Sequence, residues 1–201
     1  MIAAIVLAAG KSERMGRPKM DLPWGETTVI GHVVTTLAGS GIDEIIVVTG
    51  GARDEVEAAL KRLPPSLPIR TEYNPKFEDG SMLLSVERGL RSIQDRHEAV
   101  LITLGDQPQI DIAVVRAILA EFKATSAQLI VPSYNKHRGH PWLVGRSLVP
   151  ALLNLDETKT LRDFLNKYAD QIHYILVDTP SILQDLDTPA DYYNFNNLNL
   201  A

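Results

Sequence analysis

The sequence predicts an α/β protein with a mostly parallel central sheet covered by helices on both faces. Three observations carry this. Apolar strand-like runs alternate with helical runs through the first 130 or so residues, the β-α-β-α rhythm of a parallel sheet. The runs Ile2–Leu7, Glu44–Thr49 and Ala99–Leu104 are almost continuously apolar, the pattern of strands buried on both faces. Polar, glycine-containing motifs follow several of these runs, at the strand ends where open α/β sheets bind ligands.

The elements follow in order. Ile2–Leu7 is the first strand. In Thr28–Leu37, Val29, Ile30, Val33, Val34 and Leu37 recur at helical spacing, and Gly39-Ser40-Gly41 ends the run. Glu44–Thr49, rich in Ile and Val, is a strand. Asp54–Leu63 is a helix stopped by Pro64-Pro65. Leu67–Glu72 is a short strand, and Ser81–Leu90 a helix with Ser81 as its N-cap. Ala99–Leu104 is a strand, Ile112–Phe122 a helix and Gln128–Val131 a strand. Beyond Pro132 the rhythm loosens: strand Trp142–Val144, helix Ser147–Leu153, helix Leu161–Tyr168, strand His173–Val177, and a closing helix Pro189–Phe195 with proline in its first turn. The asparagines at 194, 196, 197 and 199 read as a frayed tail.

Length and composition bound the rest. The 201 residues suit a single domain, and 45% hydrophobic residues are enough for a sizeable core. A net charge of −5 argues against general nucleic-acid binding. The chain has no cysteine, so disulfides and thiolate metal sites are excluded. Charges and prolines interrupt every apolar run before it reaches membrane-spanning length, and the first residues lack a basic leader. A cytoplasmic protein without membrane contact is expected.

The strand Ile2–Leu7 runs into Ala8-Ala9-Gly10-Lys11-Ser12-Glu13-Arg14-Met15-Gly16-Arg17-Pro18-Lys19, a small-residue loop with four cations. Such a loop offers backbone N–H groups to phosphates while the cations offset their charge. It is not a P-loop: that motif needs a glycine five positions before Gly10, where Ile5 stands, and it opens directly into a helix, whereas Pro18 and Pro23 interrupt this chain. The dinucleotide pattern G-x-G-x-x-G is absent as well.

The run L-A-A-G-x-S-x-R-M-G-x-P-K, Leu7 to Lys19, resembles the signature loop of the MobA-like NTP-transferase family. Leu7-Ala8-Ala9-Gly10 looks more like the molybdenum cofactor cytidylyltransferase branch than the guanylyltransferase branch, which usually reads Leu-Ala-Gly-Gly. The resemblance implies a three-layer α/β/α, Rossmann-like nucleotidyltransferase fold with a mostly parallel sheet. It also implies a division in which residues 1–132 hold mainly the nucleotide and 133–201 mainly the acceptor.

Further motifs fall at strand ends. Asp106, in Leu104-Gly105-Asp106-Gln107-Pro108, is placed to hold Mg²⁺ through one carboxylate with waters or phosphate oxygens, or simply to cap a turn. In the resembled family the matching residue is a magnesium ligand. Of Asp185-Leu186-Asp187-Thr188-Pro189, the resemblance places Asp187 at the active site, as a second metal ligand or as a helix-terminal charge; Asp185 reads as structural or solvated. The stretch with Asn74-Pro75, Gly80, Ser81 and Ser85 resembles the family's nucleotide-lining segment, although a turn plus N-cap explains it too. Gly139-His140-Pro141 resembles the family's acceptor-side segment, with His140 serving the acceptor phosphate or simply packing and hydrogen-bonding. Arg138 precedes it in a polar stretch with Tyr134, Lys136 and His137, suited to an anionic acceptor or to solvent. The main departure is Asn154–Arg162, which lacks the glycines of the Gly-Asp-x-Gly-Ala-Arg stretch common in the cytidylyltransferases.

The reading that follows is a Mg²⁺-dependent nucleotidyltransferase, with CTP as donor and molybdopterin as acceptor. Lys11, Arg14 and Lys19 face the phosphates, and Lys19 the α-phosphate. Leu7, Ala8, Ala9, Gly10 and Ser12 shape the nucleotide pocket together with Asn74, Gly80, Ser81 and Ser85. A transferase acting on a sugar, polyol or small-acid phosphate is an alternative, as is a non-catalytic nucleotide-binding module.

Overall fold

The computed structural model describes residues 1–79 and 81–198. In chain order the strands are β1 (Ile2–Ala8), β2 (Pro23–Trp24), β3 (Thr27–Thr28), β4 (Glu44–Thr49), β5 (Ile69–Tyr73), β6 (Ala99–Leu104), β7 (Leu129–Tyr134), β8 (His137–Arg138), β9 (Trp142–Gly145) and β10 (His173–Leu176). The helices are α1 (Val29–Ser40), α2 (Arg53–Lys61), α3 (Met82–Ser92), α4 (Ile112–Thr125), α5 (Val149–Leu153), α6 (Leu161–Lys167) and α7 (Pro189–Leu198).

The central sheet runs β10-β7-β9-β6-β1-β4-β5, with β8 paired to β7. Every pairing along it is parallel except those of β9, which is antiparallel to both β6 and β7, and that of β8. The mostly parallel architecture expected from the sequence is present.

Alternation along β1 sorts the core into two layers. Ile2, Ala4, Val6 and Ala8 face a cluster filled by α1, α2 and α4 and closed by Tyr192 of α7. Ala3, Ile5 and Leu7 face the other, filled by α3, α5 and α6. Both faces of β1 are therefore dry, as its unbroken apolar run requires. Helix α3 lies so close to β1 that a Cβ at Gly89 would sit 2.7 Å from the Ile5 side chain.

Local chemistry sets the helix ends. The Thr28 hydroxyl accepts from the Gly31 N–H at 3.1 Å, and Gly41, at φ +97°, closes α1 in the left-handed region. Asp111 caps α4, and Thr160 with Asp163 forms a capping box on α6. Ser81 holds the N-cap position of α3, but its side chain makes no capping bond.

Two expectations are corrected. The asparagines at 194, 196 and 197 are not a frayed tail, because α7 runs through them to Leu198; Asn199 lies outside the described residues. The hairpin β2–β3 and the strand β8 were not foreseen: two-residue strands are too short to show a hydrophobic period.

Candidate active site

The strand order reverses at β1. The chain passes from β1 outward to β4 and β5, then returns to β6 on the other side of β1. A crevice opens at such a switch, beyond the carboxyl ends of the two strands. The ladder pairs Leu7 with Leu104, and the Gly105 N–H donates to the Leu7 carbonyl at 2.9 Å. The β1 loop and Asp106 therefore leave the sheet side by side.

The β1 loop is folded back on itself. Ser12 adopts φ +54° and Gly16 φ +69°, a pair of left-handed residues that reverse the chain within one short segment. The Lys19 N–H donates to the Ser12 hydroxyl at 3.2 Å and the Met15 N–H to the Ser12 carbonyl at 3.0 Å. Ser12 thus ties the two ends of the loop together and fixes the origin of the Lys19 side chain. On the loop's other flank, a Cβ at Gly50 would lie 2.5 Å from the Ala9 carbonyl oxygen, so the end of β4 can press against the loop only as glycine.

Lys19 is buried, and its ammonium joins two carboxylates. Nζ lies 2.5 Å from Asp106 Oδ2 and 3.4 Å from Asp187 Oδ1. Arg14, largely exposed, meets the other oxygen of Asp187 at 3.0 Å. One cluster therefore collects two cations from the first loop, one carboxylate from the end of β6 and one from the C-terminal region.

The C-terminal contribution is held by a row of bonds between 106–109 and 184–187. The Leu186 N–H donates to the Asp106 carbonyl at 3.0 Å. Gln107 Nε2 donates to Asp185 Oδ1 at 2.5 Å, and Gln109 Nε2 donates to the Gln184 carbonyl. Immediately after Asp187, Thr188 and Asp191 exchange capping bonds that start α7 and anchor the segment. Asp185 is exposed at one edge and structurally tied by Gln107, as the sequence reading allowed. It lines the same cavity, and partial burial, followed by the negative charge of Asp106, raises its pKa from the ordinary aspartate value.

These groups wall a cavity of about 570 Å³. Leu7, Ala9, Gly10, Lys11, Ser12, Arg14, Lys19, Ser81, Ser85, Asp106 and Asp187, all singled out from the sequence, line it. Two others do not. Ala8 points into the core beneath β1. Asn74 is buried behind the wall, where its Oδ1 accepts from the Lys76 N–H at 3.0 Å and its Nδ2 donates to the Ser85 hydroxyl at 3.1 Å. Gly80 lies outside the described residues. The sequence reading also passed over Phe77, which lines the cavity and packs against Gly51. An aromatic side chain in a turn leaves no periodic signal, although its place beside Asn74-Pro75 was a positional hint.

The carboxylates suit a hard divalent cation. Mg²⁺ uses oxygen donors and commonly takes one or two protein carboxylates, completing its shell with water and substrate phosphates. Asp106 and Asp187 already converge on a single cation, the Lys19 ammonium. No preformed group of three metal-ligating side chains occurs among the described residues, so substrate oxygens would have to complete the shell.

A second, larger cavity of about 1330 Å³ adjoins the first, and Ser81 and Met82 line both. His140 and Arg138 lie here rather than at the Lys19 cluster. The His140 ring stacks on Trp142 at 4.6 Å with a 13° interplanar angle, and its covered Nε2 has no hydrogen-bond partner. Burial lowers the His140 pKa to about 4, so the imidazole is neutral at pH 7.

Comparisons with known proteins agree with this architecture. The family model described as the MobA-like NTP transferase domain matches residues 4–172. The molybdenum cofactor cytidylyltransferase of Escherichia coli (strain K12) is 30% identical over 192 residues, covering 95% of this chain and 93% of that protein. The crystal structure of Rv0371c from Mycobacterium tuberculosis H37Rv superposes with a TM-score of 0.83 at 28% identity, over 98% of this chain and 97% of that one. A structure of Rv0371c in complex with manganese superposes at 0.75, with 26% identity and 98% of each chain covered. With a nucleotide-sized crevice at the strand switch point and a family match across most of its length, the chain belongs to the MobA-like NTP transferase family.

Proposed function

We propose that the protein transfers CMP from CTP to the phosphate of molybdopterin, with Mg²⁺ and release of pyrophosphate. The carrying observation is the convergence of Lys19, Asp106 and Asp187 at the mouth of a cavity lined by the β1 loop. The likeness to the E. coli cytidylyltransferase supports the choice of donor and acceptor.

An acceptor phosphate oxygen forms a bond to the α-phosphorus of CTP in line with the breaking bond to the bridging oxygen, and pyrophosphate departs with that electron pair. Such a displacement needs positioning and charge stabilisation more than covalent help. Lys19 turns from the carboxylates to the α-phosphate and stabilises the charge that builds there. Arg14 and Lys11, both more exposed, hold the outer phosphates and the leaving pyrophosphate. Backbone N–H groups of the Ala9–Ser12 loop carry part of the phosphate charge. Asp106 and Asp187 would hold the Mg²⁺, which supplies electrostatic polarisation of the phosphate oxygens when bound. Ala9, Ser81 and Ser85 border the nucleoside, and Asn74 holds the Ser85 hydroxyl in place. Residues 1–132 serve mainly the nucleotide and 133–201 mainly the acceptor, within one domain and with Asp187 reaching back across.

The test is pyrophosphate release from each of four NTPs, with molybdopterin and with a panel of sugar, polyol and small-acid phosphates, with and without Mg²⁺. CTP with molybdopterin is the expected pair. Release with another acceptor and none with molybdopterin would overturn the acceptor. Retention of CTP with no release from any pair would make the protein a binding module.

A further inference from the structure

The larger cavity is a site in its own right, and its charge is one-sided. Lys136, Arg138, Lys159 and Arg162 all line it, and among the described residues no carboxylate does. None of the four makes an ion pair among the described residues, in a chain whose net charge is −5. Most of the protein's other arginines are compensated: Arg14, Arg53, Arg62, Arg70, Arg88, Arg91, Arg96 and Arg146 each meet a carboxylate. Lys159 feels the nearby Asp156 and Asp163 carboxylates, so the excess positive charge of the cavity falls mainly on Lys136, Arg138 and Arg162. Like charges gathered around a concave surface repel one another and are relieved by an anion.

Arg138 is the organised member of the group. It sits on β8, just after a two-residue turn in which Asn135 and Lys136 take φ +48° and +66°. Its Nε donates to the Tyr174 hydroxyl at 2.8 Å, one terminal nitrogen donates to Asn166 Oδ1 at 3.0 Å, and the guanidinium lies 5.8 Å from the Tyr174 ring. Both partners are neutral, so they orient the guanidinium without neutralising it. Among the described residues, the other terminal nitrogen has no hydrogen-bond partner. Lys159 and Arg162 come from the stretch that departs from the cytidylyltransferase pattern and also line the cavity. Lys159 immediately precedes the capping box of α6, formed by Thr160 and Asp163, and Arg162 lies within it.

The size of the cavity adds a constraint. At about 1330 Å³ it is more than twice the volume of the cavity beside Lys19, and larger than one phosphate or a small phosphorylated acid needs. The stacked His140–Trp142 pair and Leu161, Leu165 and Leu176 add apolar surface to the lining beside the cations.

We propose that this cavity binds a second anionic group of the acceptor, remote from the reacting phosphate, with Arg138 as the anion clamp and Asn166 and Tyr174 as its positioning residues. The acceptor is then a molecule with an apolar or planar body and negative charge at two separated places. This rests on the transferase reading above for the word acceptor. The anion site itself does not depend on it.

The experiment fills the nucleotide cavity with the non-hydrolysable analogue CMPCPP and Mg²⁺, then titrates inorganic phosphate while following Trp142 fluorescence and binding heat. The other tryptophan, Trp24, is sealed in the core and serves as a constant background. Saturable phosphate binding is expected with CMPCPP in place. It should weaken about tenfold in Arg138→Gln, by the loss of one charge-assisted contact. Arg138→Lys, which keeps the charge but cannot use both neutral partners, should weaken it nearly as much. Tyr174→Phe should weaken it less. Phosphate affinity unchanged in both Arg138 variants, or binding only when CMPCPP is absent, overturns the proposal. If CMPCPP itself fails to bind while phosphate still reports through Trp142, the nucleotidyltransferase reading fails and the anion site stands.

Discussion

Lys19 and Asp106 come from segments 87 residues apart, yet the Lys19 ammonium lies 2.5 Å from an Asp106 oxygen, with an oxygen of Asp187 3.4 Å away on the same nitrogen. A lysine held between two carboxylates occupies the place of a small cation. A divalent ion using the same oxygens must displace it, and a triphosphate would receive it. Metal and nucleotide should therefore bind together better than either binds alone.

Mn²⁺ affinity without nucleotide should consequently rise about tenfold in Lys19→Met, as one competing charge is removed from the two carboxylates. With CTP present the order should reverse, because the variant lacks the cation that offsets the phosphates. Electron paramagnetic resonance of free Mn²⁺ reads both. Equal or weaker Mn²⁺ binding in the nucleotide-free variant would show that Lys19 does not block the metal.

In the proposed mechanism Lys19→Ala should lower kcat much more than it raises KM, since a cation directed at the α-phosphate would gain most as charge builds in the transition state. Arg14→Ala should act mainly on KM for the nucleotide. Steady-state kinetics separates the two; a Lys19→Ala defect confined to KM would reassign that residue to ground-state binding.

If Asp106 holds the metal as proposed, Asp106→Asn should reduce kcat by about 100-fold or more, because it removes a ligand charge while nearly conserving volume. The fold should persist. Lys19 keeps Asp187 as a partner, and the Asp106 backbone bond to Leu186 is untouched. Turnover with an unchanged circular dichroism spectrum is the measurement. Full activity of the folded variant sinks the metal role.

What the sequence revealed follows from which interactions are local. The strands β1, β4 and β6 were legible because burial on both faces demands unbroken apolar runs, and the Leu7–Lys19 loop was legible because its small residues, cations and prolines are contiguous. The reversed direction of β9 was not, since Trp142–Gly145 has the same composition whichever way it runs. That Asp185 also borders the cavity was not legible for a related reason: its place in the wall depends on a bond from Gln107, 78 residues away. Asn74 was seen as a site residue but not as one buried behind Ser85, because a buried polar pair reads as two ordinary polar positions. The cation cluster of the second cavity combines β8 with the start of α6, and only the tertiary fold brings them together.

His140 should make stability fall with acid. Its folded pKa of about 4 lies below the ordinary value of 6.5, so the unfolded chain binds a proton first as pH falls. The stabilisation is fully present above about pH 6.5, is lost progressively down to about pH 4, and amounts to about 3 kcal/mol over that window. Urea unfolding at pH 7.5 and 4.5 should show a larger acid loss in the wild type than in His140→Asn, which has nothing to titrate there. Equal losses would mean that the imidazole is not held neutral.

The donor preference should be CTP over GTP, and Ala9 should contribute to it. Ala9 lines the nucleotide cavity, and Gly50 packs against its backbone, so the loop cannot retreat to widen the pocket without disturbing the end of β4. The methyl group therefore narrows the space for the base at a rigid point. One methyl supports only about 1–3 kcal/mol of discrimination, so GTP should compete weakly rather than be excluded. Ala9→Gly should raise GTP affinity relative to CTP by about tenfold at unchanged CTP binding, within that range. Competition binding with Mg²⁺ present measures the ratio for both proteins. An unchanged ratio in Ala9→Gly would place base reading on the other wall of the cavity, at Phe77 and the Ser81–Ser85 turn of α3.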